Sequence, residues 1–154
     1  MTLLHRRARR HRGTPSERGA ALVEFALSCL LFFVLAFAVL DFGRLIFGYT
    51  IVSKAARQGV RYAAVRGYTA SANAATAAAI KAYVASQSLG YISASNVTVK
   101  TIASSGGTEA DWPTNNKAGQ TVKVTATYTF LPAAPFVRAA SAVLSSTAKM
   151  VIIR

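Results

Sequence analysis

The chain has 154 residues, which is enough for one small domain and one additional segment. It carries 18 lysines and arginines against five aspartates and glutamates, a formal net charge of +13. Both histidines, His5 and His11, lie near the N-terminus, and Cys29 is the single cysteine. This composition excludes a disulfide within the chain and offers no Ser/His/Asp or Cys/His catalytic set. We therefore expect no enzymatic activity, no cofactor and no metal site.

Residues 1–19 form a basic leader, and residues 20–40 form an apolar run that contains one charge, Glu24, and neither proline nor glycine. At 1.5 Å per residue, a helix of this length measures about 31 Å, close to the hydrocarbon thickness of a bilayer. Six arginines precede Ala20. We therefore predict a single-pass membrane helix whose N-terminus is cytoplasmic and whose C-terminal part is extracytoplasmic.

The N-terminal segment has two interpretations, and they differ in how they account for the carboxylate of Glu24. An ordinary signal peptide, cut after Ala38, would also begin with basic residues and an apolar run. A carboxylate costs up to about 2.5–3.5 kcal/mol at the bilayer centre, so it usually has a partner. Cutting the chain after Gly19 would give Ala20 a positive amine one helical turn from Glu24. This second interpretation gives the carboxylate a partner. A simple membrane-anchored or secreted extracytoplasmic protein with an ordinary signal peptide stays open as the alternative.

Residues 41–67 are predicted to extend the helix amphipathically, because apolar side chains recur every three or four positions. Ala56, Gly59 and Ala63 leave room for the backbone of another element, and we expect the sheet to pack on this face. Another face of the helix carries a basic row at helical spacing: Lys54, Arg57 and Arg61. This row is either a solvated face or a surface for anionic lipid or an acidic partner.

Residues 68–154 are predicted to form an extracytoplasmic α+β domain. An Ala-rich second helix runs from about Ser71 to Leu89, and Gly90 ends it. Two-residue alternation then predicts strands at 96–102 and 120–130, with a final strand within 141–154. The segments between these strands contain turn residues and are expected to be irregular. The sheet is therefore small and antiparallel, with three or four strands.

Three pieces in order, "RGAALVEFAL" with the apolar run, "DFGRLIFGY" and "AARQGVRYAAVRG", resemble the TadE-like family of minor pseudopilins from tight-adherence (Tad, or Flp) pilus systems. The resemblance implies a pilin-like fold, in which the long N-terminal helix packs on the sheet. It also implies cleavage between Gly19 and Ala20 by a prepilin peptidase, with Glu24 as the docking carboxylate. The Glu24-Phe25 pair fits the pseudopilin form of this signal.

The family resemblance further implies a place in the bacterial inner membrane and a role in the assembly of an adhesive pilus. The implied partners are other pilins and pseudopilins, the prepilin peptidase, the membrane assembly platform and the lipid bilayer.

The part of the chain beyond the membrane is compatible with two other interpretations. Residues 41–154 carry twelve basic against three acidic residues, a balance of +9 that would suit a DNA-binding pseudopilin. Because these charges are scattered without a clear interleaving of aromatic residues, we do not expect nucleic acid as a partner. A weak calcium site, built from Glu109, Asp111, Asn115 and Asn116, is the alternative to a solvated turn.

Overall fold

The structure is a computed structural model that describes residues 15–67, 74–103, 107–114, 116–133 and 141–153. The predicted leader before residue 15 lies outside these ranges. The chain divides into two compact units, Met1–Val39 and Leu40–Arg154.

The first helix, α1 (Pro15–Val65), has 51 residues and accounts for everything described in the N-terminal unit. Between Glu17 and Val65 it contains a stretch that is long and apolar enough to cross a membrane, with a mean hydropathy of 2.6. None of this stretch is buried, and its leucine and phenylalanine side chains are exposed. By length and composition, this helix fits a single-pass membrane protein.

The C-terminal unit contains a second helix, α2 (Ala77–Gln87), and a four-stranded antiparallel sheet. The strands are β1 (Val97–Ile102), β2 (Glu109–Asp111), β3 (Thr121–Phe130) and β4 (Ala142–Val151). Their order in the sheet is β2-β1-β3-β4. The predicted α+β class is confirmed. A long N-terminal helix packs on a four-stranded sheet, and a short second helix packs in the same core.

The core of this unit is formed by residues that recur every second position in the strands and every three or four positions in the helices. Alternation along β3 buries Val122, Val124 and Ala126 completely, while the residues between them face outward. The helices cover this inner face of the sheet. The fully buried helical side chains are Val52, Ala55, Ala56, Ala63, Ala64, Ile80 and Val84. Alanines supply most of the α1 contacts, so the helix backbone lies close to its neighbours.

Two boundaries differ from the sequence prediction. Helix α2 begins at Ala77 rather than near Ser71, because the hydroxyl of Thr76 accepts a hydrogen bond from the Ala79 amide at 3.1 Å and caps the first turn. Residues 71–73 lie outside the described ranges. Strand β2 falls in a segment predicted to be irregular. With three residues it is too short to show an alternating pattern, and its pairing with β1 defines it.

Candidate processing site and interaction surfaces

The residues of the predicted processing site, Gly19, Ala20, Glu24 and Phe25, all lie on α1 and are exposed within the N-terminal unit. A side chain at Gly19 would meet no atom within 4 Å. Ala20 and Glu24 are four residues apart, so they share one face about 6 Å apart along the axis. Cleavage at this site stays a prediction.

The predicted packing residues Ala56, Gly59 and Ala63 are buried in the C-terminal unit. A Cβ added at Gly59 would lie well inside 3.0 Å from Cγ2 of Val84, and 3.4 Å from Cγ1 of Val124. The tightest approach is therefore to α2, with the sheet second. Sequence reasoning anticipated the sheet but did not anticipate α2, because no local pattern shows which helix faces Gly59.

The predicted basic row of Lys54, Arg57 and Arg61 is exposed along α1. The ion pairs of the described residues lie elsewhere: Arg44 with Asp41, and two lysines with Glu109. Like charges three and four residues apart on a helix cost about 0.2–0.5 kcal/mol per pair. The three cations of the row therefore repel one another slightly, and no carboxylate of the described residues forms an ion pair with them.

An open groove of about 470 Å³ lies where α1 meets α2, and we call it the α1–α2 groove. Its lining residues are Gln58, Arg61, Tyr62, Val65, Arg66 and Tyr83. The Tyr62 and Tyr83 rings stack with centroids 4.4 Å apart. The Arg66 guanidinium lies 4.6 Å from the Tyr62 ring centroid and donates to the Tyr62 hydroxyl at 2.8 Å. Sequence reasoning missed this groove, because Tyr62 and Tyr83 are on different helices.

Asp41 links α1 by hydrogen bonds to the segment that follows β3. Its carboxylate accepts from Nη1 of Arg44 at 2.9 Å, the pair that their spacing predicts. It also accepts from the backbone amide of Ala133 through both oxygens, at 2.9 and 3.0 Å. Asp41 is therefore a structural link at the start of the C-terminal unit.

The outward face of the sheet holds the acidic residues considered for calcium. Glu109 accepts from Lys123 at 2.5 Å and lies 3.6 Å from Lys100. The hydrogen bond from Lys123 lowers the pKa of the Glu109 carboxyl, partial desolvation opposes this, and the lysine charges lower it further. Among the residues that the structure describes, no three His, Cys, Asp or Glu side chains cluster. Asn115 lies outside them.

In the comparison with known families, the family described as TadE-like protein matches residues 19–61. No curated protein and no solved structure matches the chain. The matched segment starts at Gly19 and extends to Arg61 of the basic row. It supports a protein associated with tight-adherence pili in general, and TadE-like pilus proteins are structural rather than enzymes. Residues 19–61 thus match the TadE-like family that the sequence motifs predicted.

Proposed function

We propose that this chain is a minor pseudopilin that takes part in assembling a tight-adherence pilus, after a prepilin peptidase has cut it between Gly19 and Ala20. The observation that carries the proposal is the extent of the family match, which begins at Gly19 and includes the apolar helix with Glu24. The partners proposed with it are other pilins and pseudopilins and the assembly platform in the membrane.

The local chemistry at the proposed cut supports this role. A protease must open the helix to reach its backbone, and Gly19 lacks a side chain and costs a helix about 1 kcal/mol relative to alanine. The cut would leave a positive amine on Ala20 and the carboxylate of Glu24 on the same helix face. In hydrocarbon neither charge is stable alone. The amine of one subunit and Glu24 of its neighbour would neutralise each other, so docking would favour assembly.

The proposed orientation follows from charge and length. The N-terminus lies in the cytoplasm because six arginines precede the apolar run, and short basic segments are retained on that side. The unit from Leu40 onward is then extracytoplasmic, anchored in the bacterial inner membrane or carried within the pilus.

The processing step is tested by N-terminal sequencing and intact mass of the protein purified from membranes. We expect the parent to start at Ala20 and Gly19→Leu to keep its leader. Gly43→Leu is the matched control, because Gly43 lies on the same helix and a side chain there also meets nothing within 4 Å. A start at Val39 would instead establish ordinary secretion. An intact leader in the parent, or an Ala20 start in Gly19→Leu, would also refute the proposal.

The docking role of Glu24 is tested by surface piliation of cells that carry Glu24→Ala. We expect this variant to insert and to be processed, since removing a carboxylate favours insertion by up to about 3 kcal/mol. Piliation should nevertheless fall, because the neighbouring amine loses its partner. Ser28→Ala, one turn further along the same exposed face, should leave piliation unchanged. Normal piliation with Glu24→Ala would exclude a docking carboxylate.

A further inference from the structure

We infer that the α1–α2 groove binds an acidic segment of a second, different protein, and that Arg61 and Arg66 bind its carboxylates. The inference rests on the proposed function in one respect, since it takes the partner to be another protein of the pilus system outside the membrane. The acidic character of the partner is inferred from the residues that line the groove and does not depend on the proposed function.

The groove lies near further cations. Lys54 and Arg57 precede Arg61 on α1, and Arg66 directly follows the end of α1, so four exposed cations lie within the 13 residues 54–66. Among the described residues, no carboxylate lies within 4 Å of any of them. The negative charge that would match this surface must therefore come from outside the chain.

A second copy of this chain cannot supply that charge. Residues 41–154 have three acidic side chains: Asp41, Glu109 and Asp111. Asp41 is held by Arg44 and the amide of Ala133, and Glu109 is held by two lysines. Only the carboxylate of Asp111 is then left in a second copy to bind the four cations. The partner is therefore a different and more acidic protein.

The aromatic residues favour carboxylates over nucleotide bases. A base-binding site offers an open ring on which a base can stack. Here the Tyr62 ring already stacks on Tyr83 and carries the Arg66 guanidinium 4.6 Å from its centroid. The Tyr62 hydroxyl also accepts from Nη1 of Arg66. This arrangement fixes the planar fork of Arg66, which suits bidentate binding of a carboxylate.

The position of the groove argues against lipid headgroups. Gln58, at its near end, follows Asp41 by 17 residues, which is about 25 Å of helix. Asp41 ends the apolar run, and the headgroup layer beyond the hydrocarbon is only about 5–8 Å thick. Measured along the helix, this separation exceeds the thickness of the headgroup layer, which favours a protein partner over lipid.

The test is fluorescence anisotropy with the full chain in neutral detergent micelles. The probe is a labelled 14-residue helical peptide with glutamates three and four residues apart, and the matched peptide has glutamine at those positions. We expect the glutamate peptide to bind and the glutamine peptide not to bind. Arg61→Gln/Arg66→Gln should weaken binding by about tenfold or more. Lys149→Gln, which removes an exposed lysine from β4, should change it less than about twofold.

A second set of variants tests how Tyr62 acts. Tyr62→Phe keeps the stack on Tyr83 but removes the hydroxyl that holds Arg66. As a positioning residue, Tyr62 should affect affinity by about two- to threefold without changing the melting temperature. In an Arg66→Gln background the same change should have no further effect. An equal loss in both backgrounds would show that Tyr62 does not act through Arg66.

Three outcomes would overturn the inference: equal binding of both peptides, unchanged binding by the double arginine variant, or an equal loss with Lys149→Gln. Competition separates the other ligand classes. If a 14-nucleotide oligo-dT, or phosphatidylglycerol added to the micelles, displaces the peptide and binds the groove more tightly, the site is for nucleic acid or lipid and the inference is wrong. Peptide binding is measured independently of the N-terminus, so a start other than Ala20 would refute the proposed function and leave this result standing.

Discussion

The substitution Gly59→Ala is expected to destabilise the C-terminal unit, although alanine is the better helix former. The new Cβ would lie inside the contact distance of Val84 Cγ2 and 3.4 Å from Val124 Cγ1. Both valines are completely buried. Because Val84 is β-branched and lies within α2, it has essentially one favourable rotamer and cannot turn aside without strain. The neighbouring helix must therefore move, or Val84 must leave its rotamer.

Two opposing effects set the change in the free energy of unfolding for Gly59→Ala. Replacing a helical glycine by alanine stabilises by about 1 kcal/mol, while overpacking a closed core costs about 1–3 kcal/mol. The net loss for Gly59→Ala is therefore up to about 2 kcal/mol. Gly59→Leu places three further carbons in the same space and should lose more. At about 4 °C per kcal/mol for a unit of this size, the alanine variant should melt up to about 8 °C below the parent.

The assay is thermal unfolding of the full chain in detergent, followed by the fluorescence of Trp112. This is the only tryptophan in the chain. It is 5% exposed and donates from Nε1 to the carbonyl of Ala75 at 2.8 Å, so it reports on the C-terminal unit rather than on the membrane helix. Gly43→Ala is the matched control, since the same change in open space should be neutral or stabilising. Arg57→Ala, on the exposed side of α1, should be nearly silent.

A double substitution tests the stated cause. Val84→Ala alone should cost about 2 kcal/mol, because two buried carbons are lost. Combined with Gly59→Ala it should cost less than the sum of the two single changes, since the new Cβ then occupies vacated space. The reasoning is refuted if Gly59→Ala raises the melting temperature as Gly43→Ala does. If Gly59→Leu melts like the parent while Arg57→Ala collapses, the packed and exposed faces have been assigned in reverse.

Three further changes are expected to have measurable effects. Ser88→Ala should lower the free energy of unfolding in urea by about 1–3 kcal/mol, because the buried Ile92 amide loses its 3.0 Å acceptor. Glu109→Gln should lower the melting temperature at pH 7, and this difference from the parent should vanish as the pH falls. The folded-state pKa of Glu109 is below its unfolded value, so its contribution is present above the unfolded pKa and is lost as the pH falls through the folded one. Asp41→Asn should lower the melting temperature, because the Ala133 amide keeps only one of its two acceptor oxygens, whereas an unchanged melting temperature would show that this link is not structural.

Features that depend on neighbours along the chain could be predicted from the amino-acid sequence. The apolar run of 21 residues with its single charge predicted the membrane-length helix, and the structure shows α1 with that stretch exposed. Alternation at 120–130 identified the strand now seen as Thr121–Phe130 and the face that it buries. The ordered motifs of residues 18–67 predicted the TadE-like family, which the match over 19–61 confirms. These properties could be predicted because helix and strand periods, and short motifs, are local.

The tertiary structure alone decided which distant residues meet. Strand β2 exists because β1 lies beside it, and three residues carry no pattern of their own. Gly59 faces Val84, 25 positions away, and Tyr62 stacks on Tyr83, 21 positions away, because α2 packs beside α1. A sequence shows that Gly59 has room for a neighbour and that Arg61 and Arg66 are charged. It does not show which element fills that room, or that Tyr62 stacks on Tyr83 and contacts Arg66 beside a groove. Such contacts depend on how the helices and strands pack rather than on any period within them.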